Sequence, residues 1–161
     1  MTTSEFNECV DLYSDNLYRF ILKNMRDKED ARDVVQDSFE KMWKVVGTIS
    51  YEKAKSYLFT TGYHTMIDKL RRDKKKADFT EVNFNSLQYS EGYSDLSKIL
   101  NEALKRLPEI QRSVVLLRDY EGYSYEEIGE ITGLKESQVK VYIYRARVAL
   151  KEYIGSMDKV I

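Results

Sequence analysis

The 161-residue chain carries 26 basic and 27 acidic side chains, for a formal net charge of −1, with one proline and seven glycines. That balance favours long helices over a turn-rich β plan. Cys9 and His64 are the only residues of their types, which excludes an internal disulfide, a Cys-rich zinc site and the usual Ser-His or Cys-His pairs.

No run approaches the ~18 apolar residues of a membrane span. MTTSEFNECV lacks a basic-then-apolar signal pattern, so the chain reads as cytosolic. Asp33 with Asp37, or Glu126 with Glu127, could pair as carboxylates. No phosphate loop, nucleophile elbow or metal-ligand spacing accompanies them, so neither catalysis nor a cofactor or metal is expected.

The near-zero charge hides a division. Residues 1–40 hold ten acidic and five basic side chains. Residues 68–76 (DKLRRDKKK) hold six basic and two acidic, and residues 135–151 five basic and one acidic. Two separated basic segments behind an acidic one suggest two nucleic-acid contacts and a different surface elsewhere.

In chain order, Phe6, Val10, Tyr13, Leu17, Phe20 and Ile21 recur at three- and four-residue steps, one stripe of an amphipathic helix. Ala31, Val34, Val35, Phe39, Met42, Trp43 and Val46 form a second stripe, which Gly47 should stop. A third helix begins near Tyr51, with a bend near Gly62, and continues through Tyr63, Met66, Ile67 and Leu70. Residues 1–76 therefore read as a three- or four-helix domain.

Residues 77–94 lose the periodicity and gain Asn, Ser and Gly, the mark of a linker, here a mobile one. The helical period returns from Asp95 through Leu107. Pro108 is placed in the first turn of the next helix, where its missing N–H costs nothing. That helix should run to about Tyr120, before Gly122.

The stretch SYEEIGEITGLKESQVKVYIYRARVAL is the most specific piece. Ser124 and Glu127 predict a capping box opening a short helix through Ile131. Gly133 should end it in the left-handed conformation, and a second helix should start near Glu136. Ile128, Ile131, Leu134, Val139, Ile143, Ala146 and Leu150 form the inner face of two crossed helices. Gln138, Lys140, Val141, Tyr144 and Arg145 then point outward, as a major-groove helix requires. A helical hairpin packed against protein would bury the same stripes; the basic, tyrosine-bearing outer face favours DNA. The fold class is all-α: two small helical domains joined by a flexible linker, the C-terminal one, residues 95–161, a helix-turn-helix.

At this point the residues resemble a known family, the extracytoplasmic-function (ECF) sigma factors of bacterial RNA polymerase. The run LPEIQRSVVLLRDYEGYSYEEIGEITG with VKVYIYRARVAL is similar to the family's C-terminal domain. ARDVVQDSFEKMWK is similar to its polymerase-binding helix, and YLFTTGYHTMIDKLRR to its promoter-melting segment. The resemblance implies that the chain binds core RNA polymerase and promoter DNA and directs promoter-specific initiation. Residues 1–76 would be sigma domain 2 and residues 95–161 sigma domain 4.

Within that frame, residues 29–46 would dock on the clamp helices of the largest subunit through Asp33, Gln36, Asp37 and Glu40, an acidic face opposite the apolar stripe. The flap would receive the C-terminal domain. Phe59, Tyr63 and His64 could line a pocket for a flipped −10 base, with Lys69, Arg71 and Arg72 near the phosphates. Stacking is worth roughly 1–3 kcal/mol per base, comparable to the few kcal/mol that extruding one costs.

Arg118, Gln138, Lys140, Val141, Tyr144 and Arg145 would contact the −35 element. Asp78, Glu81, Glu91 and Asp95 would suit a linker threaded through a basic channel. His64 stands where the family often has Asn, Gly62 where Ala is common, and Gln138 where a small hydroxyl residue is usual. Val141 and Tyr142 take positions that are frequently polar or basic. These departures bear on which bases are read rather than on the role.

No further domain follows the final helix, so control is expected from a separate protein: an anti-sigma factor by family expectation, or another protein regulator. The rival reading is a dimeric helix-turn-helix regulator acting without replacing a sigma factor. It would leave the second basic segment and its aromatics unexplained.

Overall fold

The computed structural model describes the backbone of residues 1–77 and 95–158, and the side chains of 1–75 and 95–156. Seven α-helices carry it: α1 (Thr3–Met25), α2 (Lys28–Lys44), α3 (Ala54–Ala77), α4 (Asp95–Arg106), α5 (Glu109–Val115), α6 (Tyr125–Thr132) and α7 (Glu136–Asp158). A 3-10 turn, Tyr51–Lys53, precedes α3, and a π-helical turn, Leu116–Tyr120, follows α5. Most of the expected linker, residues 78–94 with Asp78, Glu81 and Glu91, lies outside the described residues. Ala77 still belongs to α3, and Asp95 opens α4.

Local chemistry sets the ends of α1. The Thr2 hydroxyl accepts from the Glu5 amide at 3.1 Å, and the Glu5 carboxylate accepts from the Thr2 amide at 2.8 Å. This reciprocal cap satisfies two of the helix's orphan donors. The helix stops at Arg26, whose φ of 63° is left-handed, with its amide bonded to the Leu22 carbonyl. Asp27 immediately caps α2 by accepting from the Asp30 amide at 3.0 Å. One residue therefore separates the end of α1 from the cap of α2, which forces the two helices to fold back on each other.

The apolar stripes then bury Leu17, Phe20 and Ile21 from α1, Ala31, Val34 and Met42 from α2, and Leu58, Phe59 and Met66 from α3. Each large side chain removed from water contributes about 1.5–3 kcal/mol before entropy is counted. Two sequence expectations are corrected here. Trp43, read as part of the buried stripe, is 47% exposed and meets Phe6 edge-on, with ring centroids 5.0 Å apart. The α2 period carries it past the core edge.

Gly62 marks no break, because α3 runs through it. It is instead a close-approach point: a Cβ there would lie 2.9 Å from Leu17 Cδ1 and 3.4 Å from Ser38 Oγ. Ser38, buried on α2, donates its hydroxyl to the Val34 carbonyl at 2.7 Å. It therefore brings a small side chain to the crossing without an unmet polar group.

In the second half Pro108 stands one position earlier than expected, as the N-cap of α5 rather than in its first turn. The expected end near Tyr120 holds, by way of the π turn in which the Glu121 amide reaches the Leu116 carbonyl at 3.1 Å. α7 packs on α4, α5 and α6, and α3 lies against α1, α2 and α6. The two halves consequently share one continuous core.

Gly62→Leu should overpack the three-helix crossing and cost about 1–3 kcal/mol, read as a lower denaturant midpoint. Gly47→Ala, where nothing lies within 4 Å of the added Cβ, should leave the midpoint unchanged or slightly raised. Equal effects of the two would contradict the close-approach account.

Candidate nucleic-acid and polymerase interface

The helix-turn-helix is built by local signals. The Ser124 hydroxyl accepts from the Glu127 amide at 3.1 Å, and the Glu127 carboxylate accepts from the Ser124 amide at 2.9 Å. α6 ends at Gly133 with φ 80° and its amide on the Gly129 carbonyl. Gly129 also allows α7 to approach, since a Cβ there would sit 2.9 Å from the Leu134 carbonyl oxygen. Ile128, Ile131, Val139, Ile143 and Ala146 are buried between the helices, while Leu134 and Leu150 are half-buried.

That packing turns the opposite face of α7 outward. Tyr144 is 70% exposed and Val141 44%, and Gln138, Lys140 and Arg145 are exposed beside them. Arg145 makes no hydrogen bond or ion pair among the described residues, so its guanidinium is open to a ligand. The Gln138 side-chain oxygen accepts from the Lys135 amide at 3.0 Å, which pins the side chain and leaves its NH2 as the free end. Lys140 lies 3.7 Å from Glu136 and over the Tyr125 ring.

Arg118 is the most constrained of the expected −35 set. It donates to the Tyr123 carbonyl at 2.9 Å and stacks on Tyr125, 4.5 Å from the centroid. Arg147, which sequence reasoning left out, grips Asp119 with two bonds, at 3.1 and 2.6 Å. It ties α7 to the π turn, and the same bonds raise its already high pKa.

On α2, Asp33, Gln36, Asp37 and Glu40 are all exposed and share one face by their three- and four-residue steps. Trp43 continues that face by one more step, an exposed aromatic beside an acidic stripe. The apolar pattern hid it, because Trp43 fits the buried period nearly as well.

α3 distributes the expected −10 residues unevenly. Tyr63 and His64 touch edge-on at 5.3 Å, with Tyr63 buried and His64 exposed. Burial raises the Tyr63 phenol above its ordinary pKa. Phe59 lies deeper and is fully buried, with Phe20 at 5.7 Å and Tyr123 at 5.2 Å between ring centroids. These three residues therefore do not form an open pocket in this arrangement.

Lys69 is engaged with Asp30 at 3.3 Å and Asp33 at 4.0 Å, whereas Arg71 and Arg72 are exposed on the last turns of α3. Among the described residues no three His, Cys, Asp or Glu side chains are grouped to hold a metal. No described helix is long and apolar enough to cross a membrane.

A helix-turn-helix with a basic, tyrosine-bearing recognition face, behind a helical unit with an acidic stripe, defines a protein that reads duplex DNA while engaging a further partner. Comparison with known proteins gives the class its family. Residues 9–76 match the model of sigma-70 region 2, and residues 97–150 that of sigma-70 region 4. The RNA polymerase sigma factor SigV of Bacillus subtilis is 34% identical over 153 residues, covering 93% of this chain and 91% of that protein. The sigma factor YlaC of the same organism is 31% identical, covering 87% and 86%.

Among solved structures, the sigma factor RpoE of Bartonella quintana, in complex with the anti-sigma factor NepR, superposes with a TM-score of 0.83. It is 25% identical, with 95% of this chain and 98% of that one covered. The chain belongs to the sigma-70 family, in its ECF group. It is a sigma factor that directs promoter-specific initiation by RNA polymerase. A dimeric regulator is not favoured, because the family match spans both halves in order.

Glu127 supplies a pH test of the recognition motif. Its hydrogen bonds with Ser124 hold the carboxyl below the ordinary carboxylate range. A depressed folded pKa contributes stability that is complete above the unfolded value of about 4.3 and is lost as pH falls through the folded one. Glu127→Gln keeps a capping side chain without the charge. Its melting temperature should lie below wild type at pH 7, with the gap closing below about pH 4. A gap independent of pH would contradict the charged cap.

Proposed function

We propose that residues 1–76 act as sigma domain 2 and residues 95–161 as sigma domain 4, joined by residues 77–94. The first unit binds core polymerase through α2 and opens the −10 element along α3. The second reads the −35 element as duplex through α7. The observation that carries this reading is the outer face of α7: Lys140, Val141, Tyr144 and Arg145 are exposed on a helix whose other face is sealed into the core.

Arg145, free of other bonds among the described residues, is the group suited to two hydrogen bonds with a guanine. Tyr144 and Val141 offer apolar contact to a thymine methyl. Arg118, held against Tyr125 and the Tyr123 carbonyl, is pre-aimed at the backbone rather than free to search among bases.

On α2 the exposed row Asp33, Gln36, Asp37 and Glu40 suits a basic surface such as the clamp helices, with Trp43 as an aromatic anchor at its end. Interfaces commonly concentrate binding energy in such an anchor ringed by polar groups. On α3, His64 and the exposed Arg71 and Arg72 are accessible to a single strand and its phosphates.

The protein acts without catalysis of its own and works in the cytoplasm with the polymerase. A separate protein, of the anti-sigma kind, regulates it. The structural likeness to a sigma factor solved with NepR supports that partner class.

Arg145→Ala should weaken promoter recognition by about 1–3 kcal/mol, roughly 5- to 150-fold, and leave core-polymerase binding unchanged in a competition assay. Equal loss of both would contradict the division of labour. His64→Ala should slow promoter opening more than it weakens initial binding. Unchanged permanganate reactivity of the −10 thymines would remove His64 from that role.

A further inference from the structure

Gln138 lies in the first turn of α7, and its side-chain amide is already half committed. Its Oε1 accepts from the backbone amide of Lys135, the residue just before the helix, at 3.0 Å. A backbone N–H can only donate, so this bond fixes which end of the side chain faces the protein. The Nε2 end carries two donors and has no partner among the described residues.

Steps of three and four residues place Gln138, Val141 and Arg145 in one row. All three line an open groove of about 200 Å³ on the outer face of α7. The row rises about 10 Å along the helix axis, which matches roughly three base-pair steps of duplex DNA. Lys140 is held to the side of the row by Glu136 at 3.7 Å and by its place over the Tyr125 ring.

A glutamine free at both ends recognises adenine with two bonds, accepting from N6 and donating to N7. With Oε1 turned back to the start of the helix, Gln138 offers donors alone. We propose that Gln138 is a specificity-determining residue that reads an acceptor edge, guanine N7 and O6 or thymine O4, and rejects cytosine, whose major-groove edge offers only the N4 donor. The proposal rests on the reading of α7 as the −35 helix. It gives the row an order: donors at Gln138, an apolar contact at Val141 and a guanidinium at Arg145.

The Lys135 bond also strengthens the discrimination. A side chain already held in place loses less rotamer freedom when a base binds, so more of the contact appears as binding. The same bond has a simpler role, since a side chain at this position satisfies an orphan amide at the helix start. Capping is blind to DNA sequence, however, and base preference separates the two roles.

The test is selection from a random duplex promoter pool by holoenzyme, reconstituted with wild type, Gln138→Glu, Gln138→Ala or Arg145→Ala and read by sequencing the bound fragments. Gln138→Glu keeps the cap on the Lys135 amide, because glutamate serves that position as well. It replaces the outward donors with an acceptor. At one position of one upstream strand, wild type should enrich guanine or thymine over cytosine by about fivefold. Gln138→Glu should reverse that preference toward cytosine, and Gln138→Ala should flatten it, while other positions keep theirs. The position should lie within about three base pairs of the one that Arg145→Ala flattens.

Enrichment of adenine there by wild type means that both ends of the amide reach the base, and overturns the proposal. A base preference that no Gln138 variant alters overturns it too; Gln138 is then a cap alone, and Gln138→Ala lowers the melting temperature without changing the selected sequences. Should the added charge of Gln138→Glu prevent selection altogether, Gln138→Ala decides by whether the position flattens. If the Gln138 variants change nothing while Arg145→Ala flattens its own position, α7 remains the −35 helix and only the role of Gln138 falls. If Arg145→Ala changes nothing either, both readings fall.

Discussion

α3 is packed on three sides, against α1 and α2 within its own half and against α6 across the junction. Its position depends on the contact at Gly62, where Leu17 and Ser38 fill the space a side chain would take. With α3 seated that deeply, Leu58, Phe59 and Met66 are committed to the core, and its remaining faces are left for other work. Tyr63 and His64 sit at the boundary between these zones, and Arg71 and Arg72 lie beyond it. A helix that must both support a core and meet a partner has only 3.6 positions per turn to divide between them.

The same division is cleaner on α2 and α7. There the buried and exposed faces are served by different residues, although Lys140 over Tyr125, Gln138 at the Lys135 amide and Asp33 near Lys69 also tie the outer faces to the fold. Val141, Tyr144 and Arg145, exposed on α7, can vary with the promoter at little cost in stability. Arg118 and Arg147 do the reverse: each is a surface cation anchored within the helix-turn-helix, and both orient the elements around Arg145.

Sequence reasoning recovered the elements whose signals are local. The Ser124–Glu127 capping box, Gly133 and the stripe through Val139, Ile143 and Ala146 are each written within a few residues, and all are present. What it missed depends on partners distant in the chain. Asn24, Arg112 and Ser113 are polar by type and were passed over, yet they are buried because α1 and α5 meet.

Phe59 was weighed as either core or site without knowledge of Tyr123, 64 positions later. Trp43 fits the apolar period of α2, but the core ends before it. Gly62 read as a bend because glycine breaks helices in isolation; the need for close approach is invisible until α1 and α2 are placed around it.

The most direct test of the account is transcription in vitro with core polymerase and this protein on a pool of random promoter fragments. The account predicts new transcripts that depend on the protein and share two upstream elements. One element should lie where melting begins and the other further upstream, in DNA that stays duplex. No protein-dependent transcripts, together with tight binding of the protein alone to a palindrome, would contradict it.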